Sequence, residues 1–221
     1  GEARLAEVRT DFVPLLLEPR RSRMQVWFDP SDARVLRRVK RNWGPRPDQK
    51  LYRFSSQGVV RTRAEPRPGE AELPPERWSH VREASFPYRA DASGCSVVSD
   101  AAALLHLASR LADPGDAASL RPCVFDGKTL YRLAVDASRM QEIPADYRLR
   151  TPGGERRWRG AAQARRLVVR AQEVAGELEP YPSPVEVYVD EASRLPIRVR
   201  AALFETGAML DLDLVEVIAA R

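Results

Sequence analysis

Val185-Glu186-Val187-Tyr188-Val189-Asp190, followed by Glu191-Ala192-Ser193-Arg194 and then Leu195-Pro196-Ile197-Arg198-Val199-Arg200, is the stretch that decides the fold. Three valines alternate with Glu186, Tyr188 and Asp190, which is the period of a strand with two different faces. The short polar segment after Asp190 turns the chain, and the run to Arg200 comes back antiparallel.

The same period spreads outward from this hairpin. Downstream, Thr206-Gly207 turns into a last strand with Leu210, Leu212 and Leu214 on one face and Asp211 and Asp213 on the other. Upstream, Ala164 to Val174 reads as a long strand carrying Leu167, Val168 and Val169. Tyr147-Arg148-Leu149 and Arg156 to Trp158 flank a turn at Thr151-Pro152-Gly153-Gly154. Arg121 to Phe125 and Leu130 to Val135 flank Asp126-Gly127, a strong hairpin signal. In the first third, Met24, Val26 and Phe28 share a strand face, and Asp29-Pro30-Ser31-Asp32 is a turn. Val35, Arg37 and Val39 then alternate with Leu36, Arg38 and Lys40. A further hairpin joins Leu51–Phe54 to Val59–Arg63 through Ser56-Gln57-Gly58, and Leu5 to Leu17 reads as a first strand interrupted by Pro14.

Two segments break the pattern. Residues 64–76 hold Pro66, Pro68, Pro74 and Pro75, which cannot donate to a ladder, so this is an exposed loop or a domain boundary. Trp78 to Tyr88 resumes as a strand. Ser99 can cap a helix with Asp100 in its first turn, and Ala101, Leu104, Leu105, Ala108 and Leu111 follow at helical spacing until Asp113-Pro114-Gly115. The spacing predicts one inserted helix over about residues 99–112, packed on a sheet or closing an open barrel end. The sum is a mainly β chain of roughly ten strands. It is expected to form a single β-rich domain over residues 1–221, with an antiparallel, strongly curved sheet that is half-barrel or barrel-like.

Composition bounds the function. With 221 residues, 43% hydrophobic and 30% charged, the chain can bury a core and is not disordered. No stretch supplies the roughly 20 apolar residues of a membrane helix, so no transmembrane segment is expected. Lys+Arg number 36 against 31 Asp+Glu, and only Lys40, Lys50 and Lys128 are lysines. Arginine in this excess suits bidentate contact with phosphate or carboxylate. The high Ala and Pro content favours the plainer account, a GC-rich coding sequence.

Motifs that carry chemistry are missing. His80 and His106 share no local motif, and no cysteine or histidine cluster has zinc spacing, so neither metal nor cofactor is expected. No serine sits in GxSxG, and Thr151-Pro152-Gly153-Gly154-Glu155 lacks the GK[ST] of a phosphate loop. Cys95 lies just before the predicted helix, where a thiol pKa can fall, and is the one candidate nucleophile. Paired with Cys123 instead, it would close a loop of about 28 residues; the cysteines alone leave disulfide and free thiols open. No catalytic residue is assigned, and the chain is read as a non-enzyme. Basic runs occur at Arg20-Arg21-Ser22-Arg23, Arg37-Arg38-Val39-Lys40-Arg41, Arg156-Arg157-Trp158-Arg159 and Arg165 to Arg170. They could face an anionic lipid or glycan, or simply be solvated and balanced by the acids. Nucleic acid is disfavoured, because no RNA-binding signature accompanies them.

Three pieces together resemble a known family. They are Ser99 to Ser109, then Val124-Phe125-Asp126-Gly127-Lys128 with Leu130-Tyr131, then Val187 to Asp190 with Ser193-Arg194-Leu195-Pro196-Ile197-Arg198, Gly207 and the alternating last strand. Over about residues 85–218 the chain resembles the bacterial envelope proteins catalogued as domain of unknown function 3108. That resemblance implies a curved sheet or half-barrel, export to the periplasm, and hence a Cys95–Cys123 disulfide. The chain opens Gly1-Glu2-Ala3 with no initiating Met, which reads as an exported protein whose signal peptide has been removed. By analogy with lipoprotein carriers of that compartment, a lipid-like or other apolar ligand would lie in the concave face under a helix cover of Leu104, Leu105, Ala108 and Leu111. The alternative is a structural or assembly module that meets an anionic envelope partner through an Arg-rich face.

Overall fold

A computed structural model describes residues 3–12, 20–88, 94–100, 103–112, 121–126, 129–151, 153–173, 184–202 and 209–218. The protein is mainly β, with two antiparallel-rich sheets and one helix. It divides into two compact units: the first holds Gly1–Ala103 and Phe125–Leu130, the second Leu104–Val124 and Tyr131–Arg221. The division between the units falls near residue 103 rather than in the Pro-rich loop.

The first unit contains a meander of six consecutive strands, β1 (Arg4–Phe12), β2 (Arg20–Phe28), β3 (Val35–Trp43), β4 (Asp48–Phe54), β5 (Gly58–Glu65) and β6 (His80–Pro87), each paired antiparallel with the next. The β2–β3 turn is the predicted one. Asp29 Oδ1 accepts from the backbone N–H and the hydroxyl of Ser31, at 2.9 and 2.6 Å, and these bonds hold the Asp29 carboxyl below its ordinary range. The Pro-rich loop leads from β5 to a short 3-10 helix (Pro75–Arg77) within this unit. Glu70 braces it, its Oε2 accepting from the N–H of Arg67 and of Ser79 at 2.9 Å each. Those bonds lower the Glu70 pKa to about 2.

One irregularity matters. Trp27 pairs with Arg37 but Phe28 pairs with Val35, so Leu36 is an extra residue in β3. A single inserted residue exchanges the two faces of a strand beyond it. Val35 is therefore buried, Leu36 and Arg37 are exposed, and Arg38 is buried. The uninterrupted alternation expected from residue 35 to residue 40 does not hold.

The second sheet runs β13-β12-β11-β10-β9 and then β8, for β8 (Pro122–Asp126), β9 (Thr129–Thr151), β10 (Gly154–Glu173), β11 (Val185–Asp190), β12 (Pro196–Ala202) and β13 (Met209–Asp213). A short β14 (Glu216–Ile218) pairs parallel with β9. β9 and β10 are single long strands of 23 and 20 residues, where the sequence suggested several shorter ones. Ile143, Tyr147, Ala162, Ala164, Tyr188 and Ile197 form the buried cluster on one side. Helix α1 (Leu104–Leu111) lies against β11 and β12, and Val187 and Val189 are buried as well as Tyr188. The central hairpin is thus covered on both faces at its end. Neither sheet is closed or strongly curled among the described residues.

The helix starts later than predicted. Ser99 ends a short strand, β7 (Val97–Ser99), and its hydroxyl donates to the Ala33 carbonyl at 3.0 Å, so it does not cap α1. The breaks expected at Pro14, Asp113-Pro114-Gly115, Gly127 and Thr206-Gly207 lie outside the described residues.

Gly58 is where the meander is tightest. A Cβ there would sit 2.5 Å from the Phe86 carbonyl oxygen and 2.8 Å from Pro87 Cα, both backbone atoms of β6. Gly58→Ala is expected to cost about 1–3 kcal/mol in urea unfolding. Gly153→Ala, whose Cβ would meet nothing closer than Thr151 Oγ1 at 3.7 Å, should stay within about 0.5 kcal/mol of the parent.

Candidate functional site

The features worth examining lie mostly in the first unit, and they begin with Arg38. The extra residue at Leu36 turns Arg38 to the face that also carries Val26, Tyr52 and Val59, all buried. Its guanidinium stacks on Tyr52, its register partner, with Cζ 3.8 Å from the ring centroid. Nη1 is ion-paired and hydrogen-bonded to Asp100 Oδ2, with the two side chains 8% and 1% exposed. A charge this deep requires such a partner, because desolvation would otherwise cost several kcal/mol. Phe125 completes the cluster, its ring edge-on to Tyr52 and Phe54 at 6.3 and 5.9 Å and tilted against Phe86 at 5.6 Å. Residues distant in sequence meet here, which no local pattern could reveal.

Beside this core is a cavity of about 580 Å³. Val35 and Val97 are buried in its wall, with Phe54, Tyr88, Cys95 and Val98 half-buried, while Arg34, Leu36, Ser55, Ser56, Gln57 and Ser96 are exposed at its rim. The turn that carries Ser55 to Gln57 is fixed by Ser55, whose hydroxyl accepts from the N–H of Gly58 at 3.2 Å, and the Tyr88 N–H donates to the Gln57 carbonyl at 2.9 Å. The Tyr88 hydroxyl is buried without a hydrogen-bond partner, and burial pushes its pKa up to about 12. The volume lies in the range of small-molecule sites, which are mostly apolar with a few placed polar groups. Sequence reading missed this hollow, because its walls come from three separated segments.

The predicted positions fare differently. Cys95 and Cys123, the two cysteines of the chain, are both disulfide-bonded. Cys95 therefore carries no thiol, and the nucleophile reading falls. His80 lies on β6, where its Nε2 accepts from Arg82 Nε at 2.9 Å, and His106 lies on α1 in the other unit. Among the described residues no group of three His, Cys, Asp or Glu could hold a metal ion. On α1, Ala108 and Leu111 are buried together with Leu107, whereas Leu105 is exposed; the side chain of Leu104 lies outside the described residues.

Arginine is held in two different ways. In the second unit it meets carboxylates: Arg157 grips Asp146 through two bonds of 2.8 Å, Arg200 grips Asp211 at 2.7 and 3.0 Å, and Arg198 reaches Asp213 at 2.6 Å. Arg166 pairs with Glu186 and Arg170 with Asp136. These contacts hold the carboxyls of Asp146, Asp211 and Glu186 below their ordinary range. In the first unit some arginines meet carboxylates too, as Arg63 does with Asp48 and Glu65, but others lie on rings. Arg37 stacks over Trp27 at 5.0 Å, Arg61 over Phe86 at 5.1 Å, and Arg41 between Trp43 and Trp78 at 4.8 and 5.9 Å. A ring shields one face of a guanidinium but leaves its full charge. The first unit holds 20 Lys+Arg against 15 Asp+Glu and the second 16 of each, so the whole excess of +5 resides in the first.

Comparison with protein-family models, curated proteins and solved structures finds no match. No activity is indicated from that side, and the family resemblance stands on its motifs alone. Among the described residues, no helix is long and apolar enough to cross a membrane.

Two measurements follow from the buried groups. Asp100→Ala should cost about 3–5 kcal/mol in urea unfolding by stranding Arg38, and Arg38→Met with Asp100→Leu together should recover most of it. Tyr88 should ionise near pH 12, a component of the spectrophotometric titration that Tyr88→Phe removes. Because its folded pKa is raised, its contribution to stability is complete below pH 10 and declines as pH rises toward 12, a decline absent in Tyr88→Phe.

Proposed function

We propose that this is a non-catalytic binding protein of an oxidising compartment, the bacterial periplasm or cell envelope, which takes a lipid-like or other apolar-bodied ligand. One observation carries the reading: a hollow of ligand size in whose wall Val35 and Val97 are buried and Phe54, Tyr88 and Val98 half-buried. The expectation of a half-barrel with a greasy concavity reduces, in this reading, to a local hollow beside the β4–β5 turn. The two disulfide-bonded cysteines support the compartment, since structural disulfides persist where thiols are not kept reduced.

The alternative, an assembly module meeting an anionic envelope partner through arginine, draws support from the first unit only. There the net charge resides, whereas the arginines described above in the second unit are matched with carboxylates.

Calorimetry of the full chain with dodecanoate tests the cavity reading. Saturable binding is expected. It should weaken on the order of tenfold in Val98→Trp, whose larger side chain takes up part of the hollow. Equal binding by the parent and Val98→Trp, or no binding by the parent, overturns it.

A further inference from the structure

The register of the first sheet sets four cations side by side. Lys40 of β3 is opposite Lys50 of β4, Lys50 is opposite Arg63 of β5, and Arg63 is opposite Arg82 of β6. Neighbouring strands lie about 4.8 Å apart, so the row runs about 14 Å straight across four strands. Like charges directly opposite destabilise a sheet, and a row of four is a feature the fold would not keep for its own stability. Arg61, one pair along on the same face, adds a fifth cation stacked on Phe86.

The acids near the row compensate it only in part. Asp48 Oδ2 takes Lys50 Nζ at 3.2 Å and Arg63 Nε at 3.0 Å, and its Oδ1 accepts from Asn42. Glu65 Oε1 takes Arg63 Nη2 at 2.9 Å, and Glu65 Oε2 lies 3.8 Å from His80 Nδ1. Arg82 Nε is spent on His80 Nε2, a neutral acceptor. Five cations against Asp48 and Glu65 leave a surplus of three positive charges.

We propose that this row is a docking surface for an extended phosphate-bearing polyanion that carries no stackable bases. Shape favours an extended chain over a flat membrane: the four cations stand in one line across four strands, and Lys50, in its middle, is only 26% exposed. The rings decide against single-stranded nucleic acid. Such strands bind by stacking bases on open aromatic faces, and here Tyr52 and Phe86 already carry Arg38 and Arg61. The inference narrows the anionic-partner reading to named residues and is independent of the cavity.

Fluorescence anisotropy with end-labelled inorganic polyphosphate, on the full chain, is the test. Binding should weaken on the order of tenfold between 50 and 200 mM salt, a log–log slope of about −2 for three uncompensated cations. Lys40→Gln with Arg82→Gln should flatten the slope to shallower than about −1. Arg157→Gln, in the second unit, should leave it unchanged. Circular dichroism and urea unfolding check that each variant is folded. If the double variant fails to fold, Arg82→Gln alone, at an exposed position, should still reduce the slope by about 0.7. Salt-independent binding, an unaltered slope in the folded variants, or tighter binding to oligo(dT) or to phosphatidylglycerol vesicles than to polyphosphate overturns the proposal. Failure with dodecanoate would leave this result untouched, and the reverse holds equally.

Discussion

Leu36 is one residue more than β2 can match, and much of the first unit follows from it. Beyond that position β3 presents the opposite set of side chains. Arg38 goes to the buried face, and Lys40 shares that face two residues on. Without the extra residue, Arg37 and Val39 would occupy it. The buried ion pair with Asp100, the stacking on Tyr52 and the cationic row all require the shifted register. Val35 stays inside because it precedes the shift, so the strand feeds the apolar core at one end and a charged surface at the other.

The two units solve the same compositional problem differently. Both are rich in arginine. In the second, strand register places arginines opposite or diagonal to acids, as with Arg198 opposite Asp213 and Arg200 opposite Asp211. In the first, arginines lie over aromatic rings, and several turn a buried Nε toward no acceptor at all: Arg38, Arg41 and Arg61. Ring stacking tolerates this because the weakly hydrated guanidinium loses little when its flat face is covered. Charge is shielded locally but not cancelled, so only one unit of the pair has a field to offer.

The sequence made strand type and hairpin turns legible wherever side chains alternate. The Asp29–Asp32 turn, the Val185–Arg200 hairpin and the Trp78–Tyr88 strand are all found close to where they were read. The helix start was misread because Ser99 and Asp100 look like a cap and first turn, and their side chains are in fact claimed by Ala33 and Arg38, more than sixty residues away. The length of β9 was hidden by its polar middle, Asp136 to Glu142, where few side chains are buried and the alternation fades. The cavity and the cationic row were not legible at all. A row across strands is written in pairing, and pairing shifts by one residue with each bulge.

The meander is complete along the chain at Pro87, yet its interior is not. Arg38 waits for a counter-ion at position 100, and the aromatic ring that seats against Tyr52, Phe54 and Phe86 arrives only at position 125. Six consecutive strands joined as five hairpins would ordinarily form an autonomous folding element, since their contacts are local. Here the element is locked by two residues from beyond its last strand, Asp100 and Phe125, so its centre is complete only with a stretch of chain that lies outside the meander.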